Sequence, residues 1–216
     1  VCTGVQRVNT PAGDKPGRLA CVGLGMMLGA HLGPRARAHI EQADVVFGGE
    51  AEGRVPELVA LIEGEAVPPA ANGCRTAGPT LVPLRKDARP DVKGSPVPRF
   101  DLLRMDAYTT MSIQYSRGCP FQCDFCDIIT IYGRKVRTKS STQLIAELDR
   151  LQELGWRGDV FIVDDNFIGN RKNALHLVKE LAIWGDVHGR PFSYFTQASV
   201  DLADRPELME AMVAAN

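Results

Sequence analysis

From residue 111 onward, short apolar runs alternate three times with stretches of helical periodicity, and that order admits few folds. Residues 111–115 read as a strand. A helix is expected from Ser140, where Ser140 and Gln143 have the spacing of a capping box, and Leu144, Leu148, Leu151 and Leu154 form one apolar stripe that Gly155 ends. The run 160–163 is a buried-type strand, 172–184 a second helix with Leu177, Val178 and Leu181 inward, and 192–196 a third strand. A third helix is expected near Asp204, with Glu207 three residues on. Strands alternating with helices pair in parallel through right-handed crossovers, so the three units are neighbours in a parallel sheet or barrel wall.

Chemistry in such folds gathers beyond the carboxyl ends of the strands. Here those ends carry Cys119-Pro-Phe-Gln-Cys123-Asp-Phe-Cys126, then Asp164-Asp165-Asn166, then Gln197-Ala198-Ser199. Thiolates at the spacing of Cys119, Cys123 and Cys126 can converge on one inorganic centre, and short cysteine loops of this kind hold iron–sulfur clusters. A four-iron cube with three protein ligands keeps one iron open, which is a catalytic arrangement. The competing reading is a structural zinc site in a non-enzymatic binding module, but zinc prefers four closed ligands and Cys21 and Cys74 are far off in sequence. Two adjacent acids at the end of a buried strand are costly unless partnered, so Asp164 or Asp165 is expected to meet a ligand or an arginine. Their bland reading is a helix cap and a solvated loop. Gln197 and Ser199 equally suit an ordinary turn, and Phe125 suits core packing.

The rest of the chain is less regular. Residues 17–65 read as a piece of α/β structure, with a short apolar run at 19–22 broken by Gly23 and Gly25, a helix at 34–43, a strand at 44–47 and a helix at 55–62. Residues 66–104 carry prolines at 68, 69, 79, 83, 90, 96 and 98, which forbid long helices and central strands and suggest an extended linker. The expected division is therefore 1–65, a linker at 66–104, and 105–216. The chain starts at Val1 rather than Met and stops at a helix-like segment, so a fragment of a longer protein is expected.

Bulk properties narrow the function class. With 216 residues and 44% hydrophobic content the chain can build a real core. A net charge of -1 gives no electrostatic pull toward nucleic acid or anionic membrane, and no apolar run is long enough to span a bilayer. Six unevenly placed cysteines do not make a disulfide framework, so a reducing, cytoplasmic setting is expected. The basic run at 134–139 reads as a solvated or carboxylate-binding loop, and the four histidines as surface residues.

The motif Cys-x-x-x-Cys-x-Phe-Cys after a first strand resembles the signature of radical S-adenosylmethionine (radical SAM) enzymes. The wider string, running through residues 98–103, 116–121, 163–169 and 196–199, resembles the cobalamin-binding branch of that superfamily. The resemblance implies an α/β fold: the C-terminal part of a Rossmann-like cobalamin-binding domain, then the first three βα units of a (β/α)6 barrel. It implies a [4Fe-4S] cluster on Cys119, Cys123 and Cys126, and S-adenosylmethionine cleaved to methionine and a 5′-deoxyadenosyl radical. By the same likeness Phe125 would pack against adenine, and Asp164, Asp165, Asn166, Gln197 and Ser199 would line the S-adenosylmethionine pocket. Gly23, Gly25 and Gly49 would stand beside cobalamin, although Gly23-Leu-Gly-Met-Met27 departs from the family's Gly-Gly-Pro-like turn. The activity implied is cobalamin-dependent C-methylation of an unactivated carbon in a small molecule, fed by an external electron donor such as flavodoxin or ferredoxin. Methylthio transfer or ring formation without active cobalamin is the second enzymatic reading.

Overall fold

The computed structural model describes residues 5–7, 18–20, 38, 45–47, 50–62, 80–82 and 89–216. Gly23, Gly25 and Gly49 lie outside the described residues, as does the expected helix at 34–43 apart from helical Ala38. The chain divides into two compact units, Val1–Pro90 with Phe125–Asp127, and Asp91–Asp124 with Ile128–Asn216.

In the first unit, β1 (Val5–Arg7) pairs antiparallel with β2 (Arg18–Ala20). β3 (Val45–Phe47) pairs in parallel with β4 (Thr80–Val82), in the register Val45↔Thr80. Between them in sequence lies α1 (Val55–Ile62). The proline-rich stretch therefore contributes a short strand, placed between its prolines 79 and 83.

The second unit holds the three expected βα repeats. β5 (Met111–Ile113), β8 (Gly158–Ile162) and β9 (Phe192–Thr196) form one parallel sheet in the order β5-β8-β9. β6 (Ser116–Arg117) and β7 (Arg137–Thr138) form a separate antiparallel pair. The helices are α2 (Ile128–Ile131), α3 (Ser141–Glu153), α4 (Arg171–His188) and α5 (Pro206–Ala214).

Each helix forms where its sequence signals fall. Both halves of the α3 capping box are made: the Gln143 N–H donates to Ser140 Oγ (3.1 Å) and the Ser140 N–H to Gln143 Oε1 (3.1 Å). Asn170 caps α4 by accepting from the Asn173 N–H, and Gly189 ends it in the left-handed region at φ 72°. Pro206 opens α5, where its missing N–H is harmless.

The sheet alternates as a two-faced surface should. Met111, Ile113, Val160, Ile162 and Phe192 are buried in one core with Leu144, Leu148 and Leu151 of α3, Ala174, Leu177, Val178, Leu181 and Trp184 of α4, and Leu208 of α5. Residues of opposite parity leave that core: Ser112 and Phe195 are exposed, and Phe161 stacks on its register partner Phe195 at 4.7 Å. Phe100, from a 3-10 turn before the first strand, also enters the core.

Candidate functional site

The cysteine segment is the connection between β6 and β7, so this two-residue ladder forms its neck. The neck is tightened by the Cys119 N–H donating to the Gly133 carbonyl at 3.1 Å. Gly118 must be glycine here. Its φ is +98°, and a Cβ would lie 2.7 Å from the Lys135 carbonyl oxygen and 2.9 Å from that of Gly133.

Two buried acids fasten this neck, one to the end of the sheet and one to α3. Asp164, just past β8, is 1% exposed; its Oδ1 accepts from the Tyr115 N–H (2.8 Å) and its Oδ2 from the Ser116 hydroxyl (2.6 Å). Burial pushes this carboxyl above its usual range, against hydrogen bonds from Ser116 and Tyr115 that pull it down. Glu147 on α3 is 1% exposed and paired with the buried ammonium of Lys139. The Lys139 N–H in turn donates to the Tyr115 carbonyl at 2.9 Å. Burial raises the Glu147 carboxyl too, with Lys139 opposing, and its Oε2 is buried without a hydrogen-bond partner. The basic run at 134–139 is thus not wholly solvated: its last residue ends inside, on an internal carboxylate.

A third polar residue ties the strand ends together. Asn166 is 4% exposed, and its Nδ2 donates to Cys119 Sγ (3.7 Å) and to Ser199 Oγ (3.1 Å). Its Oδ1 accepts from the Ser199 N–H at 3.2 Å. The Phe167 N–H donates to the Gln197 carbonyl at 2.9 Å. Gly169, in the same segment, permits close approach to the cysteine-bearing loop. A Cβ there would meet Val136 Cγ2 at 3.1 Å and Pro120 Cδ at 3.4 Å.

The residues named from sequence therefore separate into two groups. Asp164, Asn166 and Ser199 are turned into the structure and engaged with one another's strand ends. Asp165 keeps a buried Oδ2 without a hydrogen-bond partner. Its carboxyl is raised by burial, against its own backbone N–H and the attraction of the Arg117 guanidinium. Gln197 is exposed, and Phe125 is 75% exposed, which excludes core packing for that ring.

The three described cysteines are free, Cys123 exposed and Cys119 and Cys126 half-buried. Among the described residues, no group of three or more His, Cys, Asp or Glu side chains stands at metal-holding spacing. As a donor set the trio nevertheless suits an iron–sulfur cluster: three soft, unpaired thiols, one of them already accepting an N–H. Ligand loops of this kind commonly close only when the metal binds.

Sequence reasoning missed the Lys139–Glu147 pair. The signal was present, because Glu147 lies three residues after Leu144 and four before Leu151, on the apolar stripe of α3.

No family model matches the chain. It is 55% identical over 157 residues to an uncharacterized methyltransferase of Synechocystis sp. (strain ATCC 27184 / PCC 6803 / Kazusa), which covers 73% of this chain and 29% of that protein. It is 48% identical over 124 residues to the hopanoid C-2 methylase of Rhodopseudomonas palustris (57% of this chain, 24% of the relative). It is 32% identical over 133 residues to the hopanoid C-3 methylase of Methylococcus capsulatus (56% and 24%). These relatives carry the names of methyl-transferring enzymes. The chain spans less than a third of the length of each. No helix among the described residues is long and apolar enough to cross a membrane.

Proposed function

We propose that this chain is the cofactor-binding part of a radical SAM methylase that methylates an unactivated carbon of a small apolar molecule, with cobalamin bound by the full-length protein. The carrying observation is the set of three free thiols on a loop whose neck is pinned at the carboxyl end of the first strand of a parallel βα sheet. The methylase names of the relatives support the methyl chemistry, and two of them point to hopanoid carbon as an acceptor. The stacked Phe161–Phe195 pair, on the sheet face away from the helices, supports an apolar substrate.

Cys119, Cys123 and Cys126 would hold a [4Fe-4S] cluster as thiolates. The chemistry supplied by the bound groups is one-electron reductive cleavage of the sulfonium of S-adenosylmethionine and delivery of a methyl group. The chain's own residues bind and orient. Asp165 and Gln197 have polar atoms left to offer S-adenosylmethionine, and the exposed Phe125 ring has a face for its adenine. Asp164 and Asn166 act behind them by fixing the segments that carry the ligands. Gly23, Gly25 and Gly49 remain the candidates beside cobalamin, and an external flavodoxin or ferredoxin the candidate electron source.

The test is anaerobic iron–sulfide reconstitution of the full-length protein, followed by metal analysis and low-temperature EPR after reduction. A four-iron cubane signal that is lost on changing any one of the three cysteines to serine is the expected result. A colourless protein containing stoichiometric zinc would instead establish the binding-module reading. Cobalamin retention by the same preparation separates methylation from methylthio transfer or ring formation.

A further inference from the structure

We propose that Asn166 is a positioning residue for the first cysteine. It holds the Cys119 sulfur through an N–H···S bond and couples that sulfur to the end of the third strand through Ser199. The inference rests on the cluster reading for its redox consequence but not for the contact itself.

Three observations carry it. Asn166 is a carboxamide nearly lost to solvent, so its polar atoms must find partners inside. They do so in a directional way: the oxygen faces the Ser199 N–H, and that choice turns the Nδ2 group toward Cys119 Sγ and Ser199 Oγ. Finally, the backbone on either side is fixed. The Asp164 carboxylate holds the β5 turn two residues earlier, and the Phe167 N–H holds Gln197 one residue later. The amide therefore has little freedom to swing toward a ligand in the pocket. The role expected from the family resemblance, contact with S-adenosylmethionine, passes to Asp165 and Gln197.

The chemical consequence follows from what a donor does to a ligating sulfur. Hydrogen bonds to cluster sulfurs stabilise the more negative, reduced state and so raise the reduction potential. Asn166 and Ser199 together would then set the poise of the cluster without touching substrate.

The test uses the full-length protein as wild type, Asn166→Ala and Ser199→Ala. In the metal-free reduced protein, brief alkylation followed by peptide mass spectrometry reads Cys119 labelling against Cys123 in the same molecule. Loss of the contact should shift that ratio by about 2- to 10-fold in Asn166→Ala, the equivalent of one hydrogen bond of about 0.5–1.5 kcal/mol, upward at a pH where the thiols are ionised, because the freed thiolate is the stronger nucleophile. Ser199→Ala, which leaves the amide but loosens its tether, should give a smaller shift of the same sign and decides the matter if Asn166→Ala does not fold. An unchanged ratio in both variants overturns the contact. In the reconstituted protein, an EPR-monitored redox titration should show a midpoint potential more negative in Asn166→Ala than in wild type. An unshifted potential at equal cluster content overturns the redox role. Should wild type take up no cluster, the functional reading falls while the labelling experiment still judges the contact.

Discussion

Replacing Asp164 with alanine is the sharpest probe of how the cysteine loop is fastened. The substitution removes the acceptor for two buried donors, the Tyr115 N–H and the Ser116 hydroxyl. Two bonds to a charged acceptor at about 1.5–3 kcal/mol each give the gross loss, and about 2–4 kcal/mol is left once relief from burying the carboxyl is subtracted. Amide hydrogen exchange on the full-length protein reads this locally, free of the requirement that the whole molecule unfold in one step. Exchange at Tyr115 should quicken about 30- to 1000-fold, since each 1.4 kcal/mol is a factor of ten. Asp164→Asn keeps an acceptor for the Tyr115 N–H and lets its amide donate to Ser116, so it should stay within about 1 kcal/mol of wild type. If Asp164→Ala quickened exchange at Tyr115 less than threefold, the acid would not be the fastening described.

The same residue has a pH signature. Its folded carboxyl is raised above the unfolded value of 3.8. The folded state therefore keeps that proton longer than the unfolded chain does. The associated stability is complete below the unfolded value and is lost as pH rises through the folded one. Protection at Tyr115 should decline across that acidic window in wild type and decline less in Asp164→Asn. An identical slope in the two proteins would assign the dependence elsewhere, with Glu147 and Asp165, both also raised, the next to examine.

Three further outcomes follow from the neck. Gly118→Ala puts a Cβ against two carbonyl oxygens at a φ that L residues resist, for about 1–2 kcal/mol of conformational strain before the clash is counted, and limited proteolysis should then cut within 118–136. Gly169→Ala should destabilise through its contact with Val136, and Val136→Ala should recover most of the loss, which a double-mutant cycle by thermal melting measures. Lys139→Met should cost about 3–5 kcal/mol by stranding the Glu147 carboxylate, while Lys139→Met with Glu147→Leu should cost far less; denaturant titration of both variants tests the pair.

The sheet and helices were legible because their signals are local or periodic. The expected strand at 192–196 is β9, and of the expected stripe Leu144, Leu148, Leu151 and Leu154 the first three lie on the buried face of α3 while Leu154 is its half-buried C-cap. The apolar stretch 160–163 began two residues earlier and stopped one earlier than expected, since exposed Gly158 and Asp159 also pair with β9, and the Ser193 hydroxyl of β9 donates to the Asp159 carboxylate. What sequence did not give was the β6–β7 neck. Two-residue strands have no period, and Ser116-Arg117-Gly118 reads as a turn when its partner, twenty residues on, is unknown.

The polar residues at the strand ends show the same limit in a more instructive form. Asp164, Asp165 and Asn166 are adjacent, chemically alike, and equally good candidates for ligand contact by position. The alternation of the chain sends Asp164 inward to the Tyr115–Ser116 turn and Asn166 inward to Cys119 and Ser199, and leaves Asp165 between them with an unpartnered oxygen. On the proposed reading, a cluster held by three loop thiols needs the surrounding loops fixed by something other than the cluster. Buried acceptors and donors meet that need at the strand ends, where Asp164 reaches Tyr115 and Ser116 and Asn166 reaches Cys119 and Ser199. Residue types that announce a site in sequence therefore include those that build its frame, and only their hydrogen-bond partners tell the two apart.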